Sequence, residues 1–270
     1  MKLNVFVPCF YFICSMSSIS GSFVDPNDIS SVDIGFPPQK REAGETLIVG
    51  GENAKDGQAP FMCSLQFFSS HNCGCAILSS KFVITAAHCV WGRFPKQLRI
   101  LVGTNNLKGN GDYYSVTRII EHEKFIMFAH AYDIAVVEVD GPISFNDKVQ
   151  PIKYSTREPT HGSLAQLTGW GRIRIGGPLP DQLQVINMPV VSTVACREIL
   201  GSDVHDSHIC AFAEDGRGAC YADSGSPLVF DNEIIGIVSF GRPCARGYPD
   251  AFAKISYLAG WIKSTTGLQS

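Results

Sequence analysis

The chain predicts an all-β protein, either a sandwich or a barrel. Two observations lead there. Short runs rich in β-branched and aromatic residues alternate with turn clusters, at residues 97–102, 114–120, 134–139, 184–191, 227–230 and 234–240. A helical repeat appears only near the C-terminus, roughly residues 257–265, where Tyr257, Leu258, Trp261 and Ile262 return near helical spacing.

The elements follow in chain order. Residues 1–20 read as a signal peptide: Lys2 precedes a mostly apolar run, residues 5–13, and small residues follow to Ser22, so its end lies between 20 and 22. The run is too short, and too interrupted by Pro8 and serines, for a membrane anchor. Residues 23–47 are polar, with Asp25-Pro26-Asn27 and Pro37-Pro38, and read as a flexible segment. At Ile48-Val49-Gly50-Gly51 the character changes, and a globular unit over 48–270 is expected. Two strand-like runs open it, residues 61–68 and 73–78, with Ser69-Ser70-His71-Asn72 read as the turn between them.

Of 270 residues, 45% are hydrophobic and 17% charged, and the net charge is -3, so a large core is expected and neither nucleic acid nor an anionic membrane is called for as partner. Cys9 and Cys14 fall in the signal segment. The other eight of the ten cysteines form an even set in a chain expected to be secreted and extracellular, so disulfides are expected. Metal ligation through Cys73 and Cys75, or through His205, His208 and Cys210, is the poorer reading, because structural zinc sites show closer paired spacing.

Three short motifs carry chemistry. A serine hydroxyl is a poor nucleophile at neutral pH and needs a base beside it, itself oriented by a third group. Ser224 lies in Asp223-Ser224-Gly225-Ser226-Pro227; upstream lie Thr85-Ala86-Ala87-His88-Cys89 and Asp133-Ile134-Ala135-Val136. Singly, each residue reads more simply as a turn or core residue; together, in the order His, Asp, Ser, they make coincidence untenable.

These motifs, with Ile48-Val49-Gly50-Gly51 and Thr168-Gly169-Trp170-Gly171, resemble the trypsin and chymotrypsin-like serine proteases. The resemblance implies two six-stranded antiparallel β-barrels with the active site in the cleft between them and a C-terminal α-helix. It implies His88 as general base and acid, Asp133 as its orienting partner and Ser224 as nucleophile. The oxyanion hole would be the backbone N–H groups of Ala222 and Ser224. Ala222 departs from the family, which has glycine there. Residues 21–47 would be an activation propeptide, released by cleavage between Leu47 and Ile48, with the new Ile48 amino group pairing with Asp223; a first cut after Arg41 with later trimming is the alternative. The resemblance also implies Cys73–Cys89, Cys196–Cys210 and Cys220–Cys244. That leaves Cys63 and Cys75, which antiparallel pairing across the first hairpin would set side by side, and a fourth disulfide, Cys63–Cys75, is expected there.

The pocket for the residue before the scissile bond is implied at Gly218, Ala219 and Tyr221, at Ser239, Phe240 and Gly241, and at Asp250 and Phe252. Gly218 stands where trypsins carry aspartate, which argues against simple trypsin-like specificity. Gly218 with Asp250 resembles the brachyurin-like (collagenolytic) proteases of crustaceans and insects, which accept both apolar and basic residues. The reading is chymotrypsin-like specificity, broadened to basic residues if Asp250 faces the pocket. Polypeptide substrates, protein protease inhibitors as possible partners, a monomer, and no cofactor or metal are expected; residues 103–108 lack the first acidic ligand of a calcium loop. No Asn-x-Ser/Thr sequon occurs, and without an accessory module a digestive or secreted effector role is favoured. The rival reading is a secreted protease-like binding protein, weak in catalysis because of Ala222.

Overall fold

The structure is a computed structural model that describes residues 49–270 except Pro243. The signal and propeptide calls, with Leu47 and Ile48, lie outside the described residues.

Fourteen strands run through the described residues. In chain order they are β1 (Glu52–Asn53), β2 (Met62–Phe67), β3 (Ser70–Ile77), β4 (Phe82–Thr85), β5 (Leu98–Val102), β6 (Asp112–Glu121) and β7 (Ala135–Val139). There follow β8 (Lys153–Tyr154), β9 (Leu164–Gly169), β10 (Gln184–Val191), β11 (His208–Ala211), β12 (Pro227–Phe230), β13 (Glu233–Gly241) and β14 (Asp250–Lys254). The described helices are α1 (Ala87–Val90), α2 (Thr193–Leu200) and α3 (Ile255–Thr266).

Strands β2-β3-β4-β7-β6-β5 close into one six-stranded barrel. Strands β10-β11-β14-β13-β12-β9 close into a second, sealed by the β9–β10 pairing. All twelve pair antiparallel, and closure leaves no free sheet edge. Alternation along the strands turns Leu65, Ile77, Ile84, Ile100 and Val137 into the first core and Leu167, Ile186, Met188, Leu228 and Phe252 into the second.

Two straps join the barrels. Strand β1, which precedes the first barrel in the chain, pairs with β10 of the second. Helix α3 leaves β14 and returns to bury Ile255, Leu258 and Ile262 in the core of the first.

The first hairpin is tighter than its sequence suggests. Its turn is Phe68-Ser69, with φ of 44° and 68°, and β3 already begins at Ser70. Positive φ at both central residues is the two-residue turn that matches strand twist, and its usual signal is Asn-Gly; here that signal is missing. Cys63 and Cys75 face each other in the resulting register and are bonded. Cys73–Cys89, Cys196–Cys210 and Cys220–Cys244 are the other disulfides among the described residues. The cysteines weighed as metal ligands are therefore all used in bonds to sulfur.

Helix α2 corrects the expectation of a single, C-terminal helix. Ser192 caps it by accepting from the Ala195 N–H (3.2 Å), and Gly201 ends it. Those two residues were the available signal. The apolar pattern hid it: Val194 is exposed and only Cys196 is fully buried, so its anchors are the Cys196–Cys210 bond and an Arg197 Nε–H donated to the Val204 carbonyl.

Candidate active site

His88 stands on α1, a single turn entered directly from β4 and tied to β3 through Cys73–Cys89. Asp133 immediately precedes Ile134 and β7, the strand paired with β4. The pairing brings them together: His88 Nδ1 lies 2.7 Å from Asp133 Oδ2, and the His88 backbone N–H donates to Oδ1 at 2.9 Å. A third donor comes from the other barrel, where Ser239 Oγ on β13 donates to Oδ2. Asp133 is fully buried. Burial by itself pushes its pKa up, but the two hydrogen bonds and charge of His88 with the bond from Ser239 outweigh it and hold the carboxyl below the ordinary aspartate value.

The Ser224 loop is built from its neighbours. The Asp223 carboxylate is completely buried and accepts from the N–H groups of Gly171 (2.8 Å) and Cys220 (3.0 Å). Gly169 and Gly171 are glycine for a steric reason: a Cβ on either would run into that carboxylate. This gives the Thr168-Gly169-Trp170-Gly171 motif its physical role. Burial raises the Asp223 pKa to about 7 against those two donors.

The loop is also docked on the first barrel. The Gly74 N–H donates to the Ser224 carbonyl (2.8 Å), and Thr85 Oγ donates to the Gly74 carbonyl (2.8 Å). Gly225, at φ 80°, lies so close to Thr85 and Gly74 that no side chain fits. Thr85 ends β4, three residues before His88. The loop bearing Ser224 thus rests on β3 and on the end of β4, the strand that leads into His88, and Ser224 itself is half-buried.

Among the described residues no carbonyl accepts the N–H of Ala222 or of Ser224. Both donors remain available. Ala222 adopts φ 75°, the glycine-like conformation its position demands. A Cβ there costs about 1–2 kcal/mol. Ala222→Gly should therefore raise stability by about 0.5–1 kcal/mol, the strain relieved less the added chain entropy. That corresponds to about 1–4 °C in Tm, to be read by calorimetry in a Ser224→Ala background that prevents self-digestion.

Beside Ser224 opens a pocket of about 240 Å³, lined by Ala219, Tyr221, Ser239, Phe240, Gly241 and Asp250 of the expected residues, with His130, Cys220 and Val238 added. Phe252 is a correction: it is fully buried in the core of the second barrel. Asp250 and Phe252 leave β14 on the same face, but Phe252 lies two residues deeper, about 7 Å, where it closes against Gly236.

Gly218 is not in the lining because Asp250 covers it. A Cβ on Gly218 would lie 2.8 Å from Asp250 Oδ2, and one on Gly241 3.0 Å from Oδ1. The carboxylate fits because both neighbours are glycine. It accepts from the Ala219 N–H (2.8 Å), and no described cation pairs with it. Burial, with a smaller contribution from the negative charge of Asp223, raises its pKa to about 8. His130 reaches the pocket from the loop before Asp133 and stacks on Phe240 at 4.8 Å; nothing in its sequence context announces that.

The family model for trypsin matches residues 48–262. This chain belongs to the trypsin family. Trypsin-1 of Astacus astacus is 38% identical over 80% of this chain and 99% of its own length. Chymotrypsin-2 of Vespa crabro is 37% identical over 80% of this chain and 98% of its own, and trypsin epsilon of Drosophila erecta 34% identical over 81% and 87%. As a trypsin-family protein the chain is a serine-type endopeptidase acting on polypeptides. Among its described residues no helix is long and apolar enough to cross a membrane.

Proposed function

We propose that this trypsin-family endopeptidase is secreted as a zymogen and cleaves after large apolar residues and, through Asp250, after Lys and Arg. The observation that carries the specificity is the buried Asp250 carboxylate in the pocket beside Ser224.

In the proposed mechanism Ser224 Oγ attacks the scissile carbonyl while His88 Nε2 takes its proton. Asp133, fixed by three donors, holds His88 Nδ1 protonated, so that Nε2 is the free base, and stabilises the imidazolium that forms. The oxyanion is met by the N–H groups of Ala222 and Ser224. His88 then gives its proton to the leaving amine, and water repeats the sequence on the acyl-enzyme.

Activation would free the Ile48 amino group by cleavage after Leu47. Support comes from Asp223, a buried carboxylate whose described partners are two neutral N–H groups, and from the bond that Gly218 N–H already makes to the Val49 carbonyl (3.0 Å). A buried charge gains strongly from a cation beside it. N-terminal sequencing of the active form should read Ile48; a fully active form starting at Glu42 overturns the pairing.

Asp250→Ala should lower kcat/KM for Lys and Arg substrates at least tenfold while leaving Phe and Leu substrates nearly unchanged; equal loss on both overturns the assignment. The pH dependence has a definite sign. With its pKa raised to about 8, Asp250 is largely neutral at pH 6 and ionised at pH 9. The groups facing it are the Ala219 N–H and, farther off, the acidic Asp223, so none favours the charged form by its charge. The ratio of kcat/KM for basic over apolar substrates should therefore climb about 10- to 100-fold between pH 6 and 9. A flat ratio counts against an ionising Asp250 in the pocket.

A further inference from the structure

His71, on β3 of the first barrel, plays no part in the mechanism above and makes a hydrogen bond across the cleft that bears on it. Its Nε2 lies 3.1 Å from the Ala222 carbonyl, and its Nδ1 lies 2.8 Å from Ser64 Oγ. A carbonyl only accepts, so Nε2 carries the proton; Nδ1 then accepts, and the Ser64 hydroxyl donates. The ring is thus neutral with a fixed tautomer, and burial, which drives its pKa down to about 4, keeps it so. Trp170 of the second barrel meets the ring at 5.7 Å.

The peptide on the other side of Ala222 is held as well. The Arg172 N–H donates to the Tyr221 carbonyl at 2.8 Å. A trans peptide is planar, so its N–H points away from its carbonyl. Fixing the Tyr221 carbonyl therefore aims the Ala222 N–H in the opposite direction. Both peptides flanking Ala222 are clamped, one by His71 and one by Arg172, around a residue whose φ of 75° alanine does not favour by itself.

We propose that His71 is a positioning residue for the oxyanion hole, holding Ala222 in the glycine-like conformation that aims its N–H at the reacting carbonyl. A glycine at 222 would reach that conformation freely; alanine needs the clamp. The demand on His71 is therefore set by the residue at 222. This rests on the reading of Ser224 as nucleophile and Ala222 as donor.

The test is a double-mutant cycle in the full chain processed at Leu47–Ile48, with kcat normalised to the endpoint of fluorophosphonate labelling and folding checked by thermal melting. His71→Phe keeps a flat ring against Trp170 but removes the donor. It should lower kcat at least tenfold, toward the 100- to 1,000-fold that a lost donor costs, with KM changed less than threefold. His71→Gln, which retains an N–H donor, should recover most of the loss. In an Ala222→Gly background the same His71→Phe change should cost no more than threefold. Equal loss in both backgrounds, or no loss in either, overturns the proposal. Should His71→Phe not fold, Ser64→Ala releases the tautomer with little change in the core, and its expected three- to tenfold loss must likewise shrink in the Ala222→Gly background. Parental activity that survives Ser224→Ala would instead sink the nucleophile reading, independently of His71.

Discussion

Ser224→Ala, in protein processed at Leu47–Ile48, should abolish covalent labelling by a fluorophosphonate and lower kcat about 10⁶-fold. The reason is chemical. The alanine methyl cannot attack phosphorus or carbon, and His88 then has no proton to take. The fold should survive, because the loop is held by backbone contacts the substitution leaves intact: the Ser224 carbonyl to Gly74 N–H, the Gly225 N–H to the Val238 carbonyl, and the buried Asp223 carboxylate. An unchanged melting temperature with lost labelling is the expected pair of results. Persistent labelling would show that another hydroxyl carries the chemistry.

Asp133→Asn should lower kcat about 10⁴-fold with little change in KM. The local hydrogen bonds supply the mechanism. Asp133 accepts from three donors: the His88 N–H, His88 Nδ1–H and the Ser239 hydroxyl. An asparagine can keep its oxygen on the His88 N–H only by turning its amide toward His88 Nδ1 and Ser239 Oγ. Nδ1 must then accept, and the ring proton moves to Nε2, the nitrogen proposed to take the Ser224 proton. The base is lost without any large movement. Substitution should also change acid stability. The folded-state pKa of Asp133 lies below its unfolded value, so its contribution is present above the unfolded pKa and lost as pH falls through the folded one. Asp133→Asn should flatten that part of the stability curve; comparison of urea midpoints between pH 2 and 6 would show it.

The candidate trio was legible because its signals are local. Thr85-Ala86-Ala87-His88-Cys89 and Asp223-Ser224-Gly225 are short and ordered along the chain, and each carries its own turn chemistry. The Cys63–Cys75 bond was legible for a similar reason, since a hairpin keeps its partners close in sequence. The turn itself was not, because Phe68 and Ser69 take positive φ without glycine or asparagine. The strain at Ala222 was foreseen from the position; that it is tolerated depends on partners far away in the chain.

His130, His71 and Ser239 show where reading along the chain stops. His130 enters a pocket otherwise built by the second barrel, and Ser239 reaches from that barrel to Asp133 of the first. His71 looks like a turn residue until β3 brings it to a carbonyl 151 positions away. Each contact crosses the space between the barrels, and no period or motif encodes a distance of that kind.

What the sequence by itself determined was the class of fold, the family, the candidate nucleophile with its base, and Gly218 and Asp250 as a pair. Local propensity, turn chemistry and short motifs suffice for those. What only the tertiary structure decided was the direction of side chains where strands meet: Asp250 in the pocket and Phe252 in the core, Asp133 held by three donors, and Ala222 clamped between two hydrogen bonds. Those follow from barrel closure, which sets residues far apart in the chain within hydrogen-bonding distance and excludes water from between them.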